Sequence, residues 1–408
     1  CDTILDAEDC SDVVSHERTT VVILSLEWNN MTGTLPEEIS LLQGLEVLNM
    51  EGNSISGYLP ESIGALSSLK ELYLGENNLG NTIPGSLFKL KKMKHISLYS
   101  NFINGTLSSN IGELEELETL NLYGATWENH VTISHTGTSL AGRIPERLGN
   151  LKKLKWLSLG FNFFTGSLPS TIANLQGLEY ISVASNQLTG DFTGVLGLQG
   201  LVHMDLSNNL FQGVPWSRMQ MLSKLETISV HGNQISGTLP NEMRFPSLKV
   251  LLCCCMGLTS AIPSILGNNV QLDVLDFSIN QLSGSIPPSF ENLVELNVLW
   301  LGYNELTGAI PSFLGNFSEL VMLGLDENKF TGELPLSIGN LNNLQLFQLN
   351  GNNLSGSIPD SFCSVPYMSA DCLPSNDTWV ECPCCDICCD ETQCCSDEYG
   401  FCFPRFFL

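Results

Sequence analysis

The chain has 408 residues, with 43 acidic and 17 basic side chains, a formal net charge of −26 and only 15% charged residues. So acidic a surface repels phosphate backbones and anionic membranes, which argues against nucleic-acid partners, and no stretch is long and apolar enough to span a bilayer as a helix. The length exceeds one ordinary compact domain, a limit that a repeat array escapes because each unit touches only its neighbours and the core grows lengthwise.

The chain opens at Cys1 without a signal-peptide pattern, as a mature or trimmed chain would. Residues 1–20, with Cys1 and Cys10, are read as an N-terminal cap. From residue 21 one unit recurs. The segment from Leu45 to Pro60 supplies the template LxxLxLxxNxLxGx(I/L)P. Its asparagine position falls at Asn29, Asn53, Asn77, Asn101, Ala125, Asn162, Asn186, Asn209, Asn233, Met256, Asn280, Asn304, Asn328 and Asn352. That makes fourteen turns, mostly 24 residues apart, with asparagine in twelve.

Each template position has a physical role. Alternating leucines such as Leu299 and Leu301 form a short strand with one face inward, and successive strands build a parallel sheet with a spacing of ~4.8 Å. The chain then bends, leaving buried backbone groups that an inward asparagine amide can satisfy. The glycine, as in Gly308, permits a tight backbone, and the following Ile310-Pro311 fixes an extended segment. Fourteen matches in register exclude chance. The fold class is a repeat solenoid over residues 21–362, closed by disulfide-rich caps.

The run Leu306-Thr307-Gly308-Ala309-Ile310-Pro311 and its fellows resemble the plant-type extracellular leucine-rich repeat. That group includes ectodomains of plant receptor kinases and polygalacturonase-inhibiting proteins. The resemblance covers roughly 21–362 and implies an α/β-type leucine-rich-repeat solenoid. Such a fold would be a curved right-handed superhelix with its parallel sheet on the concave face and a partner bound on the concave or lateral surface. The ends depart from the plant pattern. Cys1 and Cys10 match the usual tryptophan-containing cysteine pair only loosely, and the tail Cys382-Pro383-Cys384-Cys385-Asp386-Ile387-Cys388-Cys389 is similar instead to tails of secreted diatom and related algal repeat proteins.

Function is expected where the repeat breaks. Thirteen extra residues, 126–138, interrupt the fifth turn, and a loop grafted on a rigid array is a common seat of specificity; a tolerated surface insertion is the equal alternative. Outward strand positions align by their offset from the asparagine. Six residues before it stand His95, Thr119, Trp156, Tyr180 and His203, two before it Tyr99 and Tyr123, with Tyr73 and Phe161 close by. Tyr73, Tyr99, Tyr123, Trp156, Phe161, Tyr180 and His203 are therefore the ligand-binding candidates, expected to form one aromatic patch beneath the insertion. The competing account is that several merely cover the sheet edge. Trp300 and Tyr303, beside Asp276, Asp326 and Glu327, form a second, smaller cluster. Glu27, Glu51 and Glu76 offer oxygen ligands of the kind calcium takes, against the plainer account of a solvated acidic face.

Fifteen cysteines cluster unevenly, and their odd number leaves at least one free or paired between chains. In the tenth turn Cys253 replaces a core leucine and is expected buried, while Cys254 and Cys255 point outward to join another chain, form a vicinal bond or stay free. Ser260 stands there where the template has glycine. Residues 363–408 form the C-terminal cap, and Cys1, Cys10, Cys363, Cys372, Cys382, Cys384, Cys385, Cys388, Cys389, Cys394, Cys395 and Cys402 are the disulfide candidates, with connectivity open. The tail thiolates also suit zinc or copper(I), but it holds no histidine, so no metal is assigned. Sequons at Asn30, Asn104, Asn316, Asn353 and Asn376 predict N-linked glycans.

Nothing resembles an active site. The six histidines are scattered; His203 and His231 lie on adjacent turns but four strand residues out of step, a separation of ~13 Å along the strand. No phosphate loop, dinucleotide fingerprint or zinc-protease motif occurs. The expectation is a secreted or cell-surface binding scaffold for a protein, peptide or glycan, and not an enzyme. The alternative is a structural subunit that self-associates in a matrix, wall or filament. Inhibition of a secreted hydrolase is a third reading, implied by the resemblance alone.

Overall fold

The computed structural model describes residues 21–124, 139–213, 216–358, 361–362, 365–372, 380–382, 385–389, 393–396 and 401–404. The N-terminal cap with Cys1 and Cys10, the insertion at 126–138, Cys363, Cys384 and Asn376 lie outside the described residues. The chain forms two compact units, Cys1–Phe211 and Gln212–Leu408.

Each unit is a stack of turns. In the first, three-residue strands from Ile23–Ser25 to His203–Asp205 pair in parallel, with Leu24 beside Leu48 and Leu157 beside Ile181. In the second, Thr227–Ser229 pairs with Val250–Leu252, and the series continues to Leu346–Gln348. The central residue of each strand points inward. Leu48, Leu72, Leu157, Leu251, Leu275 and Leu299 are all fully buried. Burying an aliphatic side chain of this size stabilises the folded state by about 1.5–3 kcal/mol.

A second parallel sheet flanks the first in each unit, which the repeat template suggests only as an extended segment. Ser54–Tyr58 pairs with Asn78–Thr82 in the first unit, and Gly257–Ala261 with Gln281–Gly284 in the second. The helical component is 3-10. Segments such as Glu61–Ala65 and Ser312–Asn316 are five residues long. Proline explains this choice: its fixed φ suits the cap position, and its carbonyl accepts from the N–H three residues on, as Pro60 does from Ile63 at 3.1 Å. The one described α-helix is the four-residue Trp216–Met219.

The asparagines behave as the template requires. The Asn77 Nδ2 donates to the carbonyls of Leu74 and Gly75 in its own turn, and to Met50 of the turn before at 3.0 Å. Its Oδ1 accepts from Ile55 N–H at 2.9 Å. Asn304 and Asn328 repeat the same set in the second unit. Across the insertion the ladder holds: Asn162 reaches back to Leu122 O at 2.8 Å and accepts from Leu140 N–H at 3.0 Å, although Ala125 supplies no amide. Asn269, a polar residue at a position usually held by leucine, is 2% exposed and does similar work, donating to Met243 O and accepting from Phe245 N–H at 2.7 Å.

The end of the second unit extends its sheet. Tyr367–Ala370 pairs in parallel with Leu346–Gln348, Ile387–Cys389 follows in parallel, and Gln393–Ser396 and Phe401–Pro404 are added antiparallel. Asp371 takes the part of a missing next turn, accepting from Gly351 N–H at 2.7 Å and Asn352 N–H at 3.0 Å. Disulfides join Cys372 to Cys388 and Cys382 to Cys385, and Cys389 is disulfide-bonded as well. Cys394, Cys395 and Cys402 lie on the antiparallel strands, with Cys395 in register with both Cys388 and Cys402.

Two columns of residues have left-handed backbone. One is the template glycine, at φ +84° in Gly308, for which Ser260 substitutes at +74°. A side chain there costs roughly 1 kcal/mol relative to glycine. Ser260→Gly is expected to raise the stability of the second unit by about 1 kcal/mol, read as a higher urea midpoint at unchanged slope.

Candidate functional site

Outward-facing side chains on the first unit sit in columns set by strand register. His95 lies beside Thr119, Thr119 beside Trp156, Trp156 beside Tyr180, and Tyr180 beside His203. Trp156 and Tyr180 stack face to face, with centroids 3.6 Å apart and planes 1° from parallel. Tyr180 also meets His203 at 6.0 Å. Trp156 is 41% exposed, while Tyr180 and His203 are half-buried. The pair presents a flat apolar surface edged by a polar ring.

The other candidates separate from this stack. Tyr73 stacks on His95 at 6.3 Å, and its hydroxyl donates to Glu71 at 3.2 Å. The Tyr99 hydroxyl donates to Glu51 at 3.0 Å and Glu76 at 3.3 Å. Tyr123 packs on Phe161 at 4.9 Å. The seven expected residues thus fall into contact groups on neighbouring columns, and the single patch of the sequence reading is resolved into them. The cause is the offset: positions six and two before the asparagine are ~13 Å apart along a strand.

Glycines on adjacent turns explain where the rings lie. A Cβ at Gly75 would collide with the Tyr99 ring, one at Gly160 would meet Tyr123 at 3.1 Å, and one at Gly324 would collide with Trp300. Each ring covers the bare backbone of a neighbouring strand. In the second cluster Asp326 likewise leans over Gly302 and is only 4% exposed, while Asp276 accepts from the Ser278 backbone and hydroxyl.

Trp28 was missed by pattern reading. It is 63% exposed, and its indole lies where a Cβ of Gly52 would be. With Asn30, Ser54, Glu76, Asn78 and Ser100 it lines an open cleft of about 430 Å³. The available signal was an aromatic residue directly before a ladder asparagine, where Gly52, Glu76 and Ser100 follow on the next turns.

Of the residues weighed for calcium, Glu51 and Glu76 accept from Tyr99 and Glu27 accepts from Ser25 at 2.6 Å. Among the described residues no group of three or more His, Cys, Asp or Glu is placed to hold a metal ion. The sequon residues Asn30, Asn316 and Asn353 are exposed and Asn104 is half-buried. No helix among the described residues is long and apolar enough to cross a membrane.

Residues 4–140 match the family model described as a leucine-rich repeat region, and 153–175, 224–245, 271–293, 295–317 and 343–365 match the leucine-rich repeat itself. The chain is a leucine-rich-repeat solenoid. Among solved structures this solenoid is similar to the plant peptide hormone receptor RGFR1 in complex with RGF2, at 32% identity and a TM-score of 0.77, covering 88% of this chain and 55% of that one. It is also similar to the ectodomain of the Arabidopsis thaliana membrane receptor kinase GASSHO1/SCHENGEN3 in complex with Casparian strip integrity factor 2, at 29% identity and a TM-score of 0.71, covering 88% of this chain and 46% of that one. A leucine-rich-repeat protein of Leptospira interrogans matches at 27% identity and a TM-score of 0.66, covering 86% of this chain and 85% of that one. The solenoid thus spans about half the length of these two plant receptor chains. No curated protein sequence matches it.

Burial, and then the adjacent carboxylates, push Tyr73 up to about 12 and raise Tyr99 further; burial, with Asp205 nearby, pushes Tyr123 up to about 12. The neutral phenols are therefore favoured by the fold. Their contribution is complete below the ordinary value of about 10 and is lost as pH rises through about 12. Tyrosinate absorbance should show a group of late-titrating tyrosines, and the melting temperature should fall across that alkaline window.

Proposed function

We propose that this leucine-rich-repeat solenoid is an extracellular recognition scaffold that binds an extended peptide segment of a protein partner across the outward strand face of its first unit. The observation that carries the reading is the Trp156–Tyr180 stack. It is a part-exposed aromatic surface on a regular sheet, continued by His203. Aromatic anchors of this kind, clustered and preorganised, supply most of the energy in many interfaces. The similarity to plant receptor ectodomains solved with a peptide hormone or integrity factor supports a peptide over a glycan. The disulfides at the chain's end and the exposed sequon asparagines support an oxidising, extracellular setting.

A displayed library of random peptides, panned on the purified chain, tests this. Wild type should enrich a defined set, and Trp156→Ala with Tyr180→Ala should weaken binding of those peptides by roughly 30-fold or more, since each anchor contributes on the order of 1–2 kcal/mol. Equal enrichment by the double variant would remove the aromatic stack from the site. Sedimentation of the purified chain as large polymers would favour the structural-assembly alternative instead.

A further inference from the structure

The tenth turn carries three free thiols, Cys253, Cys254 and Cys255. Cys253 occupies a core position and is fully buried, beyond the reach of solvent reagents. Along an ordinary strand neighbouring side chains point to opposite faces, which would part the other two sulfurs. Here Cys255, three residues past the strand Val250–Leu252, is left-handed with φ 57°, and its side chain lies alongside that of Cys254. The two sulfurs lie 3.0 Å apart. The Cys255 N–H donates to Ser278 O at 3.1 Å, and the Cys254 carbonyl accepts from Gly232 N–H at 3.2 Å. Cys254 is half-buried and Cys255 exposed, so both are open to a small reagent.

The same turn has lost its own ladder amide. Elsewhere the asparagine ties down the carbonyls two and three residues before it, as Asn280 does for Ser278 and Phe277. Here those carbonyls belong to Cys254 and Cys253, and Met256 stands in the asparagine's place. Cys253 O is held from the next turn by Asn280 Nδ2 at 2.9 Å, and Cys254 O from the turn before. A bond requires the two sulfurs to close by a further ~1 Å.

We propose that Cys254 and Cys255 are a redox-active vicinal dithiol, which exchanges with small disulfides such as glutathione disulfide and closes reversibly into a ring within one chain. Burial, the contact with the Cys255 sulfur and the Asp276 carboxylate together raise the Cys254 thiol, which leaves the exposed Cys255 as first nucleophile. The Cys255 thiolate attacks one sulfur of the small disulfide. A mixed disulfide forms, and the other half leaves as a thiolate that takes up a proton. Cys254 then gives up its proton and attacks the Cys255 sulfur, expelling the second small thiol. The protein dithiol is oxidised by two electrons, and the small disulfide is reduced to two thiols. Adjacent residues have Cα atoms about 3.8 Å apart, closer than the ~4.4 Å at which ordinary disulfides begin. The closed ring is therefore strained and reopens in mild reductant, whereas Cys372–Cys388, with Cα atoms 5.0 Å apart, persists.

The test uses the full chain, mildly reduced, treated with glutathione disulfide, alkylated and mapped by peptide mass. The expected peptide spanning Cys253 to Cys255 is lighter by two hydrogens, unalkylated at Cys254 and Cys255, and free of glutathione. Cys254→Ser should instead accumulate a glutathione adduct on Cys255. Phenylarsine oxide, which bridges paired thiols, should bind the reduced wild type and lose that capture in the variant. A lasting adduct on wild-type Cys255, full alkylation of both thiols after oxidation, or a disulfide linking two chains through Cys255 would overturn the proposal. The wild-type measurements require no substitution, so they decide the matter even where the variant folds poorly.

Discussion

An asparagine side chain offers two N–H donors and a carbonyl acceptor on one short stem, and this chain places one in twelve of its fourteen turns, where the backbone reverses after the strand. The reversal strands several carbonyls and an N–H in the interior, each costing about 1–3 kcal/mol when left without a partner. Asn77 meets three carbonyls and one N–H at once, and two of these four groups belong to the preceding turn. No turn is therefore satisfied alone. The stack is the smallest unit in which the backbone hydrogen bonds close, and the leucine core follows from that stacking.

The ladder also sets the outward surface. Because successive turns within a unit are tied together, outward side chains separated by a full repeat meet at strand spacing. Trp156 reaches Tyr180 in this way, and Tyr99 reaches across Gly75 to Glu51 and Glu76. The same ties let irregular turns survive. The turn that contains Ala125 is held by Asn162, and the turn that contains Met256 by Asn280. An insertion or a pair of reactive thiols can thus sit on the array without unravelling it.

Much of this was legible in the sequence, for stated reasons. A 24-residue period with leucine and asparagine at fixed places reports the core and the ladder directly. Strand register then follows, and with it the columns that hold Trp156, Tyr180 and His203. The second sheet was not legible, because segments such as Gln281–Gly284 carry a single buried leucine among polar residues and glycine, with no alternation of apolar side chains. Nor was the left-handed column before the asparagines, since Gly52, Asn208, Gly232 and Gly351 share it with Trp28, Glu76, Phe161, Ile279 and Tyr303, which do not advertise positive φ. The lie of the rings was hidden for a different reason. A tyrosine and the glycine it covers are each unremarkable in their own repeat, and only the two turns side by side explain Gly75 or Gly324. Asn269 carried a readable signal, a polar residue at a leucine position, whereas cysteine pairing in the tail required coordinates.

Native-state hydrogen exchange tests the ladder most directly. The backbone amides of Ile55, Leu79, Leu188, Leu282 and Leu306 lie outside the short inner strands and donate to an asparagine Oδ1 at 2.9–3.0 Å. If those side chains knit the turns together, these amides exchange as slowly as the inner-strand amides beside them, and those within one unit open together. Rapid exchange at these positions, while the leucine strands remain protected, would show that apolar packing alone holds the stack and that the asparagines are incidental to it.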